Sequence, residues 1–150
     1  MKIMNKRLLL FLSFFALTVF SVNVFSQDKN SWQPMYLMVS GLNVMDGVEA
    51  NFQLNTCGSE NVVYIKFSNR NSYDVKLEWY DAVFTTELKW ITQNGEGNKR
   101  HLVLPSKNEF KGSCADNKEA VLVVKLADFV ANKENFKRFH TSELTVTPIQ

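Results

Sequence analysis

The chain has 150 residues, 17 basic and 15 acidic, of which 45% are hydrophobic and 13% aromatic. That length fits one domain able to bury its own core. Beyond the N-terminal segment, lysines and arginines stand singly apart from Lys99-Arg100 and Lys137-Arg138. The basic stripe that nucleic-acid binding requires is therefore missing, and nucleic acid is not an expected partner.

Residues 1–26 read as a signal peptide. Lys2, Lys6 and Arg7 form a positive start, Leu8 to Val22 is almost unbroken apolar sequence, and Val24-Phe25-Ser26 supplies a small-residue exit. A membrane span needs about 20 apolar residues, and Asn23 interrupts this run. No cysteine lies near the cleavage point to carry a lipid, and no second segment of spanning length follows. Cleavage after Ser26 removes three of the 17 basic residues and leaves 14 against 15 acidic ones. The expectation is an exported protein, secreted or periplasmic, with no membrane span in the mature chain and an open oligomeric state.

Residues 27–33 are a polar lead-in. Met35 to Val39 is a short apolar strand, with Pro34 marking an edge or a strand start. Asp46-Gly47 signals a turn. Val48, Ala50, Phe52 and Leu54 then alternate with Glu49, Asn51 and Gln53, the period of a strand with one buried face. The stretch "VVYIKFSNRNSYDVKLEWYDAV", residues 62–83, holds two such strands around a polar knot. Val63, Ile65 and Phe67 share one face; Tyr73, Val75, Leu77 and Trp79 share another. A further run spans Val83 to Thr92, with Leu88 and Trp90 on one parity, and Asn94 to Asn98 is the strongest loop signal. His101 to Leu104 is a strand stopped by Pro105, and Ala120 to Leu126 a strand buried on both faces. Asp128 to His140 is the one predicted helix, from the spacing of Phe129, Phe136 and Phe139 with Asp128 as cap. Glu143 to Thr147 is a last strand before Pro148.

About seven to eight short strands predict an all-β fold, an antiparallel β-sandwich with one short helix near 128–140; an up-and-down barrel is the alternative. Cys57 and Cys114 lie in the mature chain beside turn residues. An even pair in an oxidising compartment predicts a structural disulfide.

Both inner rows around the knot occupy odd positions. Directly paired residues share a face, so a hairpin here needs an odd-length loop. Pairing Phe67 with Tyr73 leaves Asn69-Arg70-Asn71 as a three-residue turn, with a left-handed residue that asparagine tolerates. A bend crossing between two sheets is the alternative. Either geometry explains the asparagines without a ligand.

The segment "VVYIKFSNRNSYDVKLEW", Val62 to Trp79, resembles the bacterial immunoglobulin-like or fibronectin-III-like sandwiches, in which an apolar strand ends in an Asn-containing bend and resumes as a V-x-V strand. Trp79 near the cysteines is similar to the immunoglobulin pattern. Cys57 and Cys114 depart from it, falling at strand ends or in loops instead of bridging two core strands. The resemblance covers 18 residues and implies a fold, with no particular activity.

No GxSxG, HExxH or cysteine-nucleophile signature occurs, and neither His101 nor His140 has a partner at a recognisable spacing. No enzyme, cofactor or metal is expected. Asp46/Glu49 and Asp116/Glu119 put carboxylates near turns but do not resemble calcium loops. Tyr64, Tyr80 and Trp32 are the candidate binding surface, read as outward-facing aromatics able to contact sugar rings or proteins. The expected function is a non-catalytic binding or structural module for an extracytoplasmic protein or glycan; a small secreted hydrolase or an enzyme inhibitor is the alternative.

Overall fold

The structure, a computed structural model, describes residues 31–35, 43–115 and 120–149. The signal segment, most of the Met35–Val39 strand and Asp116–Glu119 lie outside the described residues. Ten strands follow in order: β1 Gln33–Pro34, β2 Val44–Met45, β3 Val48–Cys57, β4 Glu60–Asn69, β5 Val75–Thr85, β6 Trp90–Thr92, β7 Arg100–Leu104, β8 Glu109–Lys111, β9 Val123–Lys125 and β10 Phe136–Pro148. All pair antiparallel in two sheets, and among the described residues neither sheet closes into a barrel.

In sheet A, β3 is flanked by β1 and β2 on one side and β4 on the other. The far edge of β4 is covered end to end by β8, against Lys66–Ser68, and β9, against Val62–Tyr64. Sheet B repeats this plan around β5. One side of β5 takes the whole of β10; the other takes β7 along Val75–Trp79 and β6 along Ala82–Phe84. Each of the two edges is thus one returning strand interrupted midway by a connection.

The alternation read from sequence sets the core. Val48, Ala50 and Phe52 of β3, Val63, Ile65 and Phe67 of β4, and Val75, Leu77, Trp79 and Val83 of β5 are buried. The ring contacts Phe67–Trp79, at 5.1 Å between centroids, and Phe52–Phe139, at 6.4 Å, join the sheets face to face. The edge-to-face packing of Phe67 on Trp79 adds to simple area burial.

The polar knot is the crossing between sheets, not a hairpin turn. Phe67 pairs with Ala50 and Phe110, and Tyr73 is 44% exposed. Asn69 is buried and satisfies three carbonyls with its amide nitrogen, those of Tyr73, Leu104 and Pro105 at 2.9, 3.2 and 3.1 Å. Its oxygen accepts the Asn71 backbone N–H at 2.9 Å. A chain leaving one sheet for the other exposes backbone groups with no ladder partner, and each must be met. One asparagine meets four of these needs. Arg70 donates its backbone N–H to Gly47 and ion-pairs with Glu49.

The helix expected over 128–140 is replaced by 3₁₀ turns at Leu126–Asp128 and Lys133–Asn135 followed by β10. A register shift between Phe136 and Arg138 explains the misreading. The extra residue, Lys137, brings Phe136 and Phe139 to one side of a strand, where both rings approach Phe52 at 6.2 and 6.4 Å. A β-bulge thereby imitates helical spacing. The Ala120–Leu126 strand shortens to β9 between 3₁₀ turns. The run Val83–Thr92 folds back on itself, with Leu88 at a positive φ of 62° in the turn.

Candidate binding surface and adjoining cleft

Strand alternation sends the even residues of β5 to the outer face of sheet B. Tyr80, Ala82 and Phe84 form its centre line, with Ser142 and His140 across β10 and Thr92 and Trp90 across β6. The small Ala82 lets Trp90 cross β5 and reach His140, at 4.6 Å between centroids, while it also packs on Phe84 at 4.8 Å. Trp90 remains 44% exposed, whereas Ala82 and His140 are buried. Trp90 is therefore a large exposed ring braced on two sides. Two cations complete the row: the Lys99 ammonium lies 5.9 Å from the Tyr80 ring and that of Lys137 5.4 Å from Phe84. Such contacts are favourable by about 0.5–1 kcal/mol at exposed sites.

Lys99 also lines an open cleft of about 400 Å³ with Asp81, Gln93, Gly97, Asn98, Arg100, His101 and Val121. Asp81 continues the core-facing row of β5 and is 3% exposed. Arg100, directly opposite Trp79 on β7, reaches it from the same face. Its Nε lies 2.6 Å from Asp81 Oδ2, and its Nη1 donates to the Val121 carbonyl at 2.7 Å. Trp79 Nε1 donates to Asp81 Oδ1 at 3.1 Å. Burial pushes the Asp81 carboxyl above its ordinary range, with Arg100 and Trp79 pulling the other way. Both carboxylate oxygens are thus engaged, Oδ1 by Trp79 and Oδ2 by Arg100, and Arg100 ties sheet B to the β8–β9 connection of sheet A.

His101 lines the same cleft as Asp81, but the hydrogen-bond partners of the Asp81 carboxylate are Arg100 and Trp79. His101 pairs with Glu78 and His140 with Ala82, both on the outer face. No group of three or more metal-ligating side chains occurs among the described residues. Glu49 is hydrogen-bonded by Asn51 and Asn43 and paired with Arg70. The Asn51 contact is the largest influence holding its carboxyl below the usual range, against the opposing effect of burial.

The aromatics selected from sequence do not form one surface. Tyr80 lies in the row on sheet B, but Tyr64 and Trp32 lie on sheet A. Tyr64 does point away from the core, yet it is 7% exposed, because its hydroxyl is covered by the Cys57–Cys114 disulfide. Alternation gives the side of a sheet, not what lies upon it. Trp32 is half-buried with the Lys66 ammonium 5.0 Å from its ring. Asn69, Arg70 and Asn71 form the crossing described above. Phe84, Trp90, Asp81 and Arg100 were missed, although Asp81 prolongs the odd row that ends in Leu77 and Trp79.

The disulfide joins the end of β3 to the β8–β9 connection, with Cα atoms 5.5 Å apart. No helix among the described residues is long and apolar enough to cross a membrane. Comparison with protein-family models, curated proteins and solved structures finds no match.

Proposed function

We propose that the chain is an exported, non-catalytic binding module, secreted or periplasmic, that contacts an extracytoplasmic glycan or protein through the outer face of sheet B. The observation that carries this reading is Trp90, half-exposed yet braced by Phe84 and His140. A rigid aromatic ring offers large contact area at little entropic cost on binding. The crossing at Asn69–Asn71 supports an immunoglobulin-like scaffold for this face. The N-terminal pattern and the disulfide support export.

Two measurements test the proposal. The intact mass of the protein recovered outside the cytoplasm should lack residues 1 to about 26 and be two hydrogens below the dithiol form. An unprocessed chain with free thiols would exclude export. For binding, wild type, Trp90→Ala and Tyr73→Ala are compared on a glycan array and against envelope fractions. Tyr73 is equally exposed but lies outside the row. Trp90→Ala should lose about thirtyfold in affinity, the range of a binding hot spot, while Tyr73→Ala binds as wild type. Equal retention by all three proteins places the contact elsewhere.

A further inference from the structure

We propose that the ligand of this face is an acidic glycan, a polymer of sugar rings bearing carboxylates, a reading that rests on sheet B's outer face being the contact surface. Trp90 supplies an apolar plane for the C–H face of a sugar ring. Lys99 and Lys137 are held over Tyr80 and Phe84, and neither is ion-paired among the described residues. Among the described residues Glu78 pairs with Lys76 at 3.2 Å and Glu87 with Lys89 at 2.9 Å, and the sequence-near Glu96, Glu134 and Glu143 form no ion pair with Lys99 or Lys137. The face therefore presents cations beside its rings without matching protein carboxylates.

Tyr80 and Phe84 are four residues apart on one strand, about 13 Å at the rise of an extended chain. That length suits a few consecutive sugar rings. Beyond Tyr80, Lys99 leads to the cleft with Asn98 and Arg100, whose volume of about 400 Å³ lies in the range of small-ligand sites. Along β10 the same face shows Ser142, Thr145 and Thr147, opposite Tyr80, Glu78 and Lys76. Hydroxyls and ammoniums around a narrow aromatic strip match a polar polymer. A stable protein interface instead needs about 800 Å² per partner with an apolar centre.

The test titrates the full mature protein with polygalacturonate, alginate and hyaluronan, each paired with its carboxyl methyl ester, and with poly-glutamate as an anion without rings. At least one acidic polysaccharide should bind about tenfold tighter than its ester, and weaken as salt rises and screens the exposed charges. Lys99→Gln/Lys137→Gln, changes at exposed positions, should remove that preference, and Trp90→Ala should remove binding to acid and ester alike. Equal affinity for acid and ester overturns the acidic ligand but leaves the aromatic surface intact. Binding that survives Trp90→Ala overturns the surface as well. Poly-glutamate binding as tight as the best polysaccharide, or failure of all three acidic polysaccharides to bind, overturns the glycan.

Discussion

Replacing both bonded cysteines, as Cys57→Ala/Cys114→Ala, should lower the free energy of unfolding by about 4 kcal/mol. The magnitude follows from loop-closure entropy for partners 57 residues apart. The bond encloses β4 through β8, with strands of both sheets, so its loss frees a large part of the unfolded chain. The folded state loses contact too, because the Tyr64 hydroxyl rests against both sulfurs. Urea denaturation of wild type and variant measures the shift as a lower midpoint, with a steeper slope because the uncrosslinked denatured chain exposes more surface. A loss under about 1 kcal/mol would mean that residual structure already restrains the reduced chain.

The same bond bears on the site. The β8–β9 connection that carries Cys114 also carries Val121, whose carbonyl accepts from Arg100. Gly112, at the start of this connection, lies so close to Leu122 that an added Cβ would fall 2.2 Å from its carbonyl oxygen. The connection is thus pinned at both described ends, by a disulfide and by close backbone contact. Arg100 joins that pinned segment to Asp81 on the other sheet.

Much of this architecture was legible in period-two patterns. The rows at Val48–Phe52, Val63–Phe67 and Val75–Trp79 are buried as alternation demands. The disulfide is expected from a signal-like N-terminus and an even cysteine count. What escaped had a physical reason in each case. Lys137 in a bulge gave Phe136 and Phe139 a helical spacing. The crossing at Asn69 depends on carbonyls 35 and 36 residues away, which a local pattern cannot report. Trp90 acquires its packing against His140 across Ala82, brought beside it by two different strand pairings. Asp81 was the readable miss. A carboxylate in phase with Leu77, Trp79 and Val83 must face the core, and a buried charge requires a partner.

That partner makes a second prediction with a pH signature. Arg100→Met keeps an apolar stem but leaves Asp81 buried with Trp79 as its one remaining side-chain donor among the described residues. Breaking a buried pair costs about 3–5 kcal/mol; because Arg100 is 24% exposed along its side chain, about 3 kcal/mol is expected at pH 7. Burial already raises the folded carboxyl above its unfolded value near 3.8. Between those two values the folded state holds more proton than the unfolded one, so this group's contribution to stability falls as pH rises. Removing Arg100 removes an influence that lowers the pKa, so the window extends further upward. The penalty of Arg100→Met should therefore shrink on acidification as Asp81 takes up its proton. Asp81→Asn retains an acceptor for Trp79 and lacks the titrating proton. Because it also breaks the pair and leaves Arg100 without its counter-charge, it should cost about 3 kcal/mol on its own, and in the double variant it should cancel the pH dependence of Arg100→Met. Denaturant titrations of all four proteins from pH 4 to pH 8 measure this coupling. A penalty for Arg100→Met that is the same at both ends would show that the arginine stabilises the fold through its packing and its Val121 contact, with no dependence on the Asp81 charge.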